Sequence, residues 1–220
     1  MSIRKVKLVQ GEYYHIYNRG NSKQKIFLDN EDYLRFMGLL YACNQKNNFK
    51  IFNLNKGQTL YDIDRDVALV DIGAYCLMSN HFHLLVTQSE NKNISNFMQK
   101  LSTAYSMYFN RKYGRTGGLF EGKFKSQHAN TDSYLKYIFS YIHLNPIKII
   151  QKDWKEEGIK DRKEAIKYLN RYHFSSYLDY INTANPRIES KILNKKAFPE
   201  YFPNEDSFLR EIFEWLSYND

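Results

Sequence analysis

Two cysteines in 220 residues, Cys43 and Cys76, stand far apart and form neither a metal-ligand spacing nor a redox pair. No apolar run approaches the ~20 residues needed to span a bilayer. The basic start Met1-Ser2-Ile3-Arg4-Lys5-Val6-Lys7 leads into no long apolar segment, so no secretory signal is expected. With no export route indicated, the two thiols point to a reduced, cytoplasmic setting and to no membrane partner. There is no internal repeat and no low-complexity tract. What remains is an ordinary globular composition, 43% hydrophobic and 25% charged.

The charge is one-sided. Lys and Arg total 32 against 24 Asp and Glu, a formal net charge of +8, and the chain carries 19 Tyr and 15 Phe. Positive charge attracts phosphate backbones, and aromatic rings stack on unpaired bases. An AT-rich genome would also inflate Lys and Tyr, so composition tilts toward a nucleic-acid partner without establishing one.

Along the chain, residues 1–10 read as a basic arm. Tyr13-Tyr14-His15-Ile16-Tyr17-Asn18 is rich in β-formers and reads as the first strand, with His15 as a buried, satisfied histidine rather than a neighbour of a metal site. Asp29 or Asn30 caps a helix whose Leu34, Met37, Leu40 and Tyr41 recur at helical spacing. Phe49–Leu54 suggests a short strand, residues 55–66 a polar loop, and Val67–Leu77 a strong strand. Met78-Ser79-Asn80 turns too tightly for anything but an antiparallel hairpin into the next strand. A second helix is expected from about Ile94 to Tyr113 with Asn93 as its cap. Leu119–Ser126 then alternates like a strand, with Lys123 and Lys125 sharing a face. Asn130-Thr131-Asp132 caps a third helix that Pro146 ends. Weaker helical patterns follow at 161–169 and 204–217, and Tyr172–Tyr177 reads as an aromatic-rich turn.

The order β-α-β-β-α-β predicts an α+β fold of the ferredoxin-like (split βαβ) type, an antiparallel sheet with helices on one face and its first and third strands central. A tyrosine-bearing helix and a mainly helical C-terminal extension are added to it. The expected division is a catalytic unit at 1–150 and an extension at 151–220 packed on it.

The stretch with most chemistry is His81-Phe82-His83. Side chains alternate along a strand, so the two imidazoles point one way and Phe82 the other. Two imidazoles side by side on a rigid strand can share one metal ion; the alternative is a strand with two polar residues facing solvent. Tyr141 and Asn145 are four apart and share a helical face, whereas His143 faces away. A deprotonated tyrosine is a nucleophile, and an asparagine oxygen suits a hard cation. His81, His83 and Asn145 together make a mixed nitrogen and oxygen set that suits Mg2+ or Mn2+ better than a closed zinc site. The alternative for Tyr141 is core packing beside Ile138 and Ile142.

Met78-Ser79-Asn80-His81-Phe82-His83-Leu84 resembles the histidine-hydrophobic-histidine motif of the HUH endonucleases, and Tyr141-Ile142-His143-Leu144-Asn145-Pro146 resembles the tyrosine helix of the single-tyrosine transposases. More narrowly, the chain resembles REP-associated tyrosine transposases. Tyr14–Gly20, Asp29–Tyr33, Gly118–Ser126 and Ser175-Ser176-Tyr177 extend the likeness in unbroken order over residues 10–180. Ser79 stands where many relatives carry proline, which bears on the turn and not on the histidines; residues 181–220 lie outside the likeness.

The resemblance implies a transposase that nicks and rejoins single-stranded DNA. Tyr141 would attack a phosphodiester to leave a 5′-phosphotyrosine link and a free 3′-hydroxyl, with the metal on His81, His83 and Asn145. The DNA partner would be a palindromic repeat folded as a hairpin, held by Arg4, Lys5, Lys7, Arg19, Lys123 and Lys125, with the protein a monomer or a homodimer. Two other readings stay open at this point: a catalytically silent DNA- or RNA-binding module of the same fold, and a metal-dependent phosphodiesterase that uses water.

Overall fold

The computed structural model describes residues 7–47, 54–65, 67–90 and 92–214. The strand expected at Phe49–Leu54 falls almost wholly outside them. The four strands are β1 (Tyr13–Arg19), β2 (Asp71–Met78), β3 (His81–Thr87) and β4 (Lys125–His128), in the order β2-β3-β1-β4 and all antiparallel. Together with the helices α1 (Asn30–Ala42) and α2 (Asn93–Lys112) they make the expected split βαβ sandwich, with β1 and β3 in the middle of the sheet. A central strand is held on both sides by ladder bonds, so β3 is a rigid mount for His81 and His83.

Alternation along the strands builds two cores. Tyr14 and Ile16 of β1 and Phe82, Leu84 and Val86 of β3 face α1 and α2, where Phe36, Phe97, Leu101 and Tyr105 meet them. Each such side chain fully buried contributes about 1.5–3 kcal/mol. The opposite face, with Ala74, Cys76, Met78 and Leu85, is covered by α3 (Asp132–Leu144) and by the C-terminal helices α4 (Trp154–Glu157), α5 (Arg162–Leu169), α6 (Tyr177–Ile181) and α7 (Glu205–Glu214). In β2 a register shift at Gly73 lets Ile72 and Tyr75 share the first face. A Cβ on Gly73 would meet the Phe198 ring at 2.8 Å, so the close approach of the extension requires glycine there.

The caps follow local chemistry. The Asp29 carboxylate accepts from Asp32 N–H at the start of α1, and Thr131 Oγ1 accepts from Tyr134 N–H at the start of α3. Two expectations need correction. Asn93 lies inside α2, because Lys92 takes the cap position with φ 71°. The fourth strand spans only Lys125–His128, because Gly117 and Gly122, both at positive φ, bend the preceding segment into a loop, which stays against the end of β1 through a bridge from Phe120 to Gly20 and a Glu121 N–H bond to Arg19 O.

The extension is stitched to the edge strand β2. Leu77 N–H donates to Phe174 O, Ser176 N–H to Tyr75 O and Asn194 N–H to Ile72 O, which covers an edge that would otherwise present free backbone groups. Among the described residues no helix is long and apolar enough to cross a membrane.

Candidate active site

β3 and α3 bring the two halves of the expected site together within one chain. The His83 ring meets the Tyr141 ring edge-on at 5.4 Å and the His81 ring at 5.0 Å. Pro146 ends α3 at Leu144, and Asn145 opens a short 3-10 turn, Asn145–Ile149, one helical turn beyond Tyr141. His83 and Asn145 are buried, while His81 and Tyr141 keep partial access to solvent. His143 points away, as its spacing requires: Ser176 Oγ lies 2.8 Å from its Nε2, and Phe139 O lies 2.8 Å from its Nδ1.

Two polar atoms in this group are buried without a hydrogen-bond partner, His83 Nε2 and Asn145 Oδ1. Buried polar atoms are nearly always paired, so two orphans in one site mark the atoms that a bound group would satisfy. Both are lone-pair donors suited to a divalent cation. Among the described residues no three His, Cys, Asp or Glu side chains cluster as a metal site; the set here is mixed, two imidazoles and a carboxamide.

His15 adds a third imidazole to this group. It is buried and satisfied as expected, but its partner is His83 itself, with 2.8 Å between His15 Nε2 and His83 Nδ1. Tyr17 lies directly opposite His83 and His15 opposite Leu85, which makes His15 the diagonal neighbour of His83 on the same face. The His15 ring also stands 5.9 Å from Tyr141.

Electrostatically the site is largely buried and flanked by cations. Burial holds His81 down at about 4, with the Lys148 and Arg19 charges adding to the effect, and holds His15 at about 3, with Lys155 adding. His83 lies well below its ordinary range for the same first reason, burial. Burial raises the Tyr141 phenol, and against it act a hydrogen bond from Asn145 and the charge of Lys155, whose Nζ sits 5.3 Å over the Tyr141 ring. Trp154 stacks on the same ring at 6.1 Å. Lys148 and Lys155 had no motif to announce them; only the turn after Pro146 brings them back to the site.

These buried neutral histidines give the metal-free protein an acid liability. Above about 6.5, where an unfolded histidine titrates, neither state binds the proton and the groups leave stability unchanged. Below it the unfolded chain takes up protons that the folded chain excludes. For His15 and His143, both held at about 3 by burial, stability then falls by about 1.4 kcal/mol per pH unit each. The urea midpoint is expected to drop steadily from neutral pH to about pH 5. A flat midpoint over that range would show that the histidines are not buried neutral.

The expected DNA-contacting residues scatter. Arg4 and Lys5 lie outside the described residues. Lys7 is exposed and lends its carbonyl to Tyr14 Oη. Arg19 is engaged by Glu121 through two guanidinium hydrogen bonds. Lys123 is exposed on the loop before β4, and Lys125 is exposed on β4 directly opposite Tyr17, on the face that carries His83.

An antiparallel split βαβ sheet with a histidine pair on its central strand and a tyrosine helix docked against it defines a class. Residues 65–145, which contain both histidines, Tyr141 and Asn145, match the family model of IS200-like transposases. A solved structure of a REP-associated tyrosine transposase bound to a REP hairpin shares the fold, with a TM-score of 0.51 and 12% identity over 86% of this chain and 90% of that one. No curated protein matches the sequence significantly.

Proposed function

We propose that this protein is a metal-dependent single-stranded DNA endonuclease and strand transferase that acts through a 5′-phosphotyrosine intermediate on hairpin-forming palindromic DNA. The observation that carries the reading is the edge-on contact of Tyr141 with His83, beside the unpartnered Asn145 Oδ1, inside one chain. Residues 1–150 form the catalytic unit in this reading, and 151–220 back the tyrosine helix.

Tyr141 Oη attacks the scissile phosphorus. The new O–P bond forms as the P–O3′ bond breaks, the phenolic proton is lost to solvent, and the 3′ oxygen takes up a proton. The ester is exchanged rather than hydrolysed, so a second 3′-hydroxyl can reverse the step without ATP. Tyr141 is protonated at rest, and its burial opposes ionisation. Asn145 and Lys155 stabilise the phenolate side of that equilibrium. Trp154, stacked on the Tyr141 ring, limits the directions in which the hydroxyl can point. His81, His83 and Asn145 would hold Mg2+ or Mn2+, whose contribution when bound is to polarise the phosphate and stabilise developing charge.

The test is covalent capture. A hairpin substrate labelled at its 3′ end, on the fragment that the 5′-phosphotyrosine link retains, should yield with Mg2+ a protein–DNA adduct that survives denaturation and is absent with chelator. Cleavage without an adduct would favour activated water instead, and binding with neither would leave a DNA-binding module. For the DNA contacts, Lys148→Ala is expected to weaken binding by the same factor for every hairpin and to reduce the slope of log affinity against log salt by about 1. An unchanged slope would remove Lys148 from the phosphate contacts.

A further inference from the structure

The His83 ring makes a single hydrogen bond, to another histidine. Its partner decides which of its two nitrogens carries the proton. If His15 donated, His83 would carry its proton on Nε2, a buried N–H with no acceptor, and would offer nothing to a cation. If His83 donates from Nδ1 to His15 Nε2, the bare lone pair falls on Nε2, the orphaned atom. His81 settles the same question with a different partner. Asn80 Nδ2 donates to Lys23 O at 3.2 Å, which turns the amide so that its Oδ1 lies 2.6 Å from His81 Nδ1. An amide oxygen only accepts, so His81 carries its proton on Nδ1 and its Nε2 is bare.

We infer that His15 is a positioning residue, matched to Asn80, which holds His83 in the Nδ1–H form so that both strand histidines present bare Nε2 atoms to one divalent cation. The inference rests on the metal-dependent reading above. It adds the residue that selects the tautomer, contributed by the neighbouring central strand. The strand register is what permits it. A diagonal neighbour across an antiparallel pair is within reach of a ring-bearing side chain, and here the two rings lie 5.0 Å apart. The same pairing fixes the rotation of the His83 ring, which would otherwise have no polar contact at all. Outer partners of this kind are typically worth about 10–100-fold in metal affinity.

The first test needs neither variant nor metal. Two-bond 15N–1H correlation spectra of the metal-free protein, labelled on histidine nitrogen, read each tautomer directly. His83 is expected as Nδ1–H. Observation of Nε2–H on His83 would overturn the inference. The second test is Mn2+ titration by calorimetry. His15→Leu, similar in volume but without an acceptor, should bind Mn2+ about 10–100-fold more weakly than wild type. His15→Gln, whose amide oxygen can accept near the position of Nε2, should recover most of that loss. Wild-type affinity in His15→Leu would overturn the inference. Failure of the wild-type protein to bind Mn2+ would instead sink the metal-dependent reading, and the tautomer of His83 would still decide the role of His15.

Discussion

Replacing Tyr141 by phenylalanine is expected to abolish the covalent adduct on a labelled hairpin while leaving hairpin binding essentially unchanged and lowering the melting temperature only modestly. The expectation follows from what the substitution keeps. The ring stays in its cage, edge-on to His83 at 5.4 Å, stacked on Trp154 at 6.1 Å and under Lys155 Nζ at 5.3 Å. Only Oη leaves, and with it the acceptor for Asn145. The buried Asn145 amide loses that acceptor, a cost of about 1–3 kcal/mol, which the protein tolerates because the ring packing is kept. The chemistry has no such reserve, since a carbon ring has no lone pair to form the O–P bond. Two results would count against the assignment. Cleavage persisting without an adduct would transfer the attack to water. An adduct persisting on another residue would point to Tyr137, which stacks on Tyr141 at 6.0 Å from the previous turn of α3 and also lies under Lys155.

How much of this was legible beforehand depends on the range of the interaction that decides it. The histidine pair was readable because a period of two is a local property of a strand. Tyr141 and Asn145 were readable because a four-residue spacing is a local property of a helix, and Pro146 marks where the helix stops. The split βαβ order followed from turn and cap signals near Asp29, Asn80 and Thr131. Errors arose where a local signal lost to backbone geometry. Asn93 has good cap chemistry, yet Lys92 takes the left-handed cap position. Leu119–Phe124 alternates convincingly, yet Gly122 at φ 66° breaks the strand. The contact of His15 with His83 lies in a register that no single strand contains. Lys148 and Lys155 were invisible for the same reason, since their approach to the site depends on how the chain turns after Pro146.

The extension supplies the second large effect. Arg187→Met is expected to destabilise the protein by about 3–5 kcal/mol, because it strands a buried carboxylate. Asp179 has a fully buried side chain, and Arg187 reaches it through two hydrogen bonds of 2.8 and 2.7 Å. The same guanidinium donates to Tyr75 Oη on β2 and to the carbonyls of His173 and Ser175, so one side chain ties α6 and the aromatic turn to the edge of the sheet. Methionine retains much of the apolar stem and none of these donors. For a chain of this length the cost corresponds to a fall of roughly 6–20 °C in melting temperature. A double change, Arg187→Met with Asp179→Leu, should recover part of the loss, because removing both charges costs less than leaving one behind. The consequence reaches the site through Ser176, whose backbone N–H is held by Tyr75 O and whose Oγ lies 2.8 Å from His143 Nε2 on the buried side of α3. Loosening that turn removes backing from the helix that carries Tyr141, so adduct formation in Arg187→Met should slow even at temperatures where the variant remains folded. A variant as stable as wild type, with an unchanged rate of adduct formation, would show that Arg187 is an ordinary surface cation and that the extension holds the tyrosine helix by apolar packing alone.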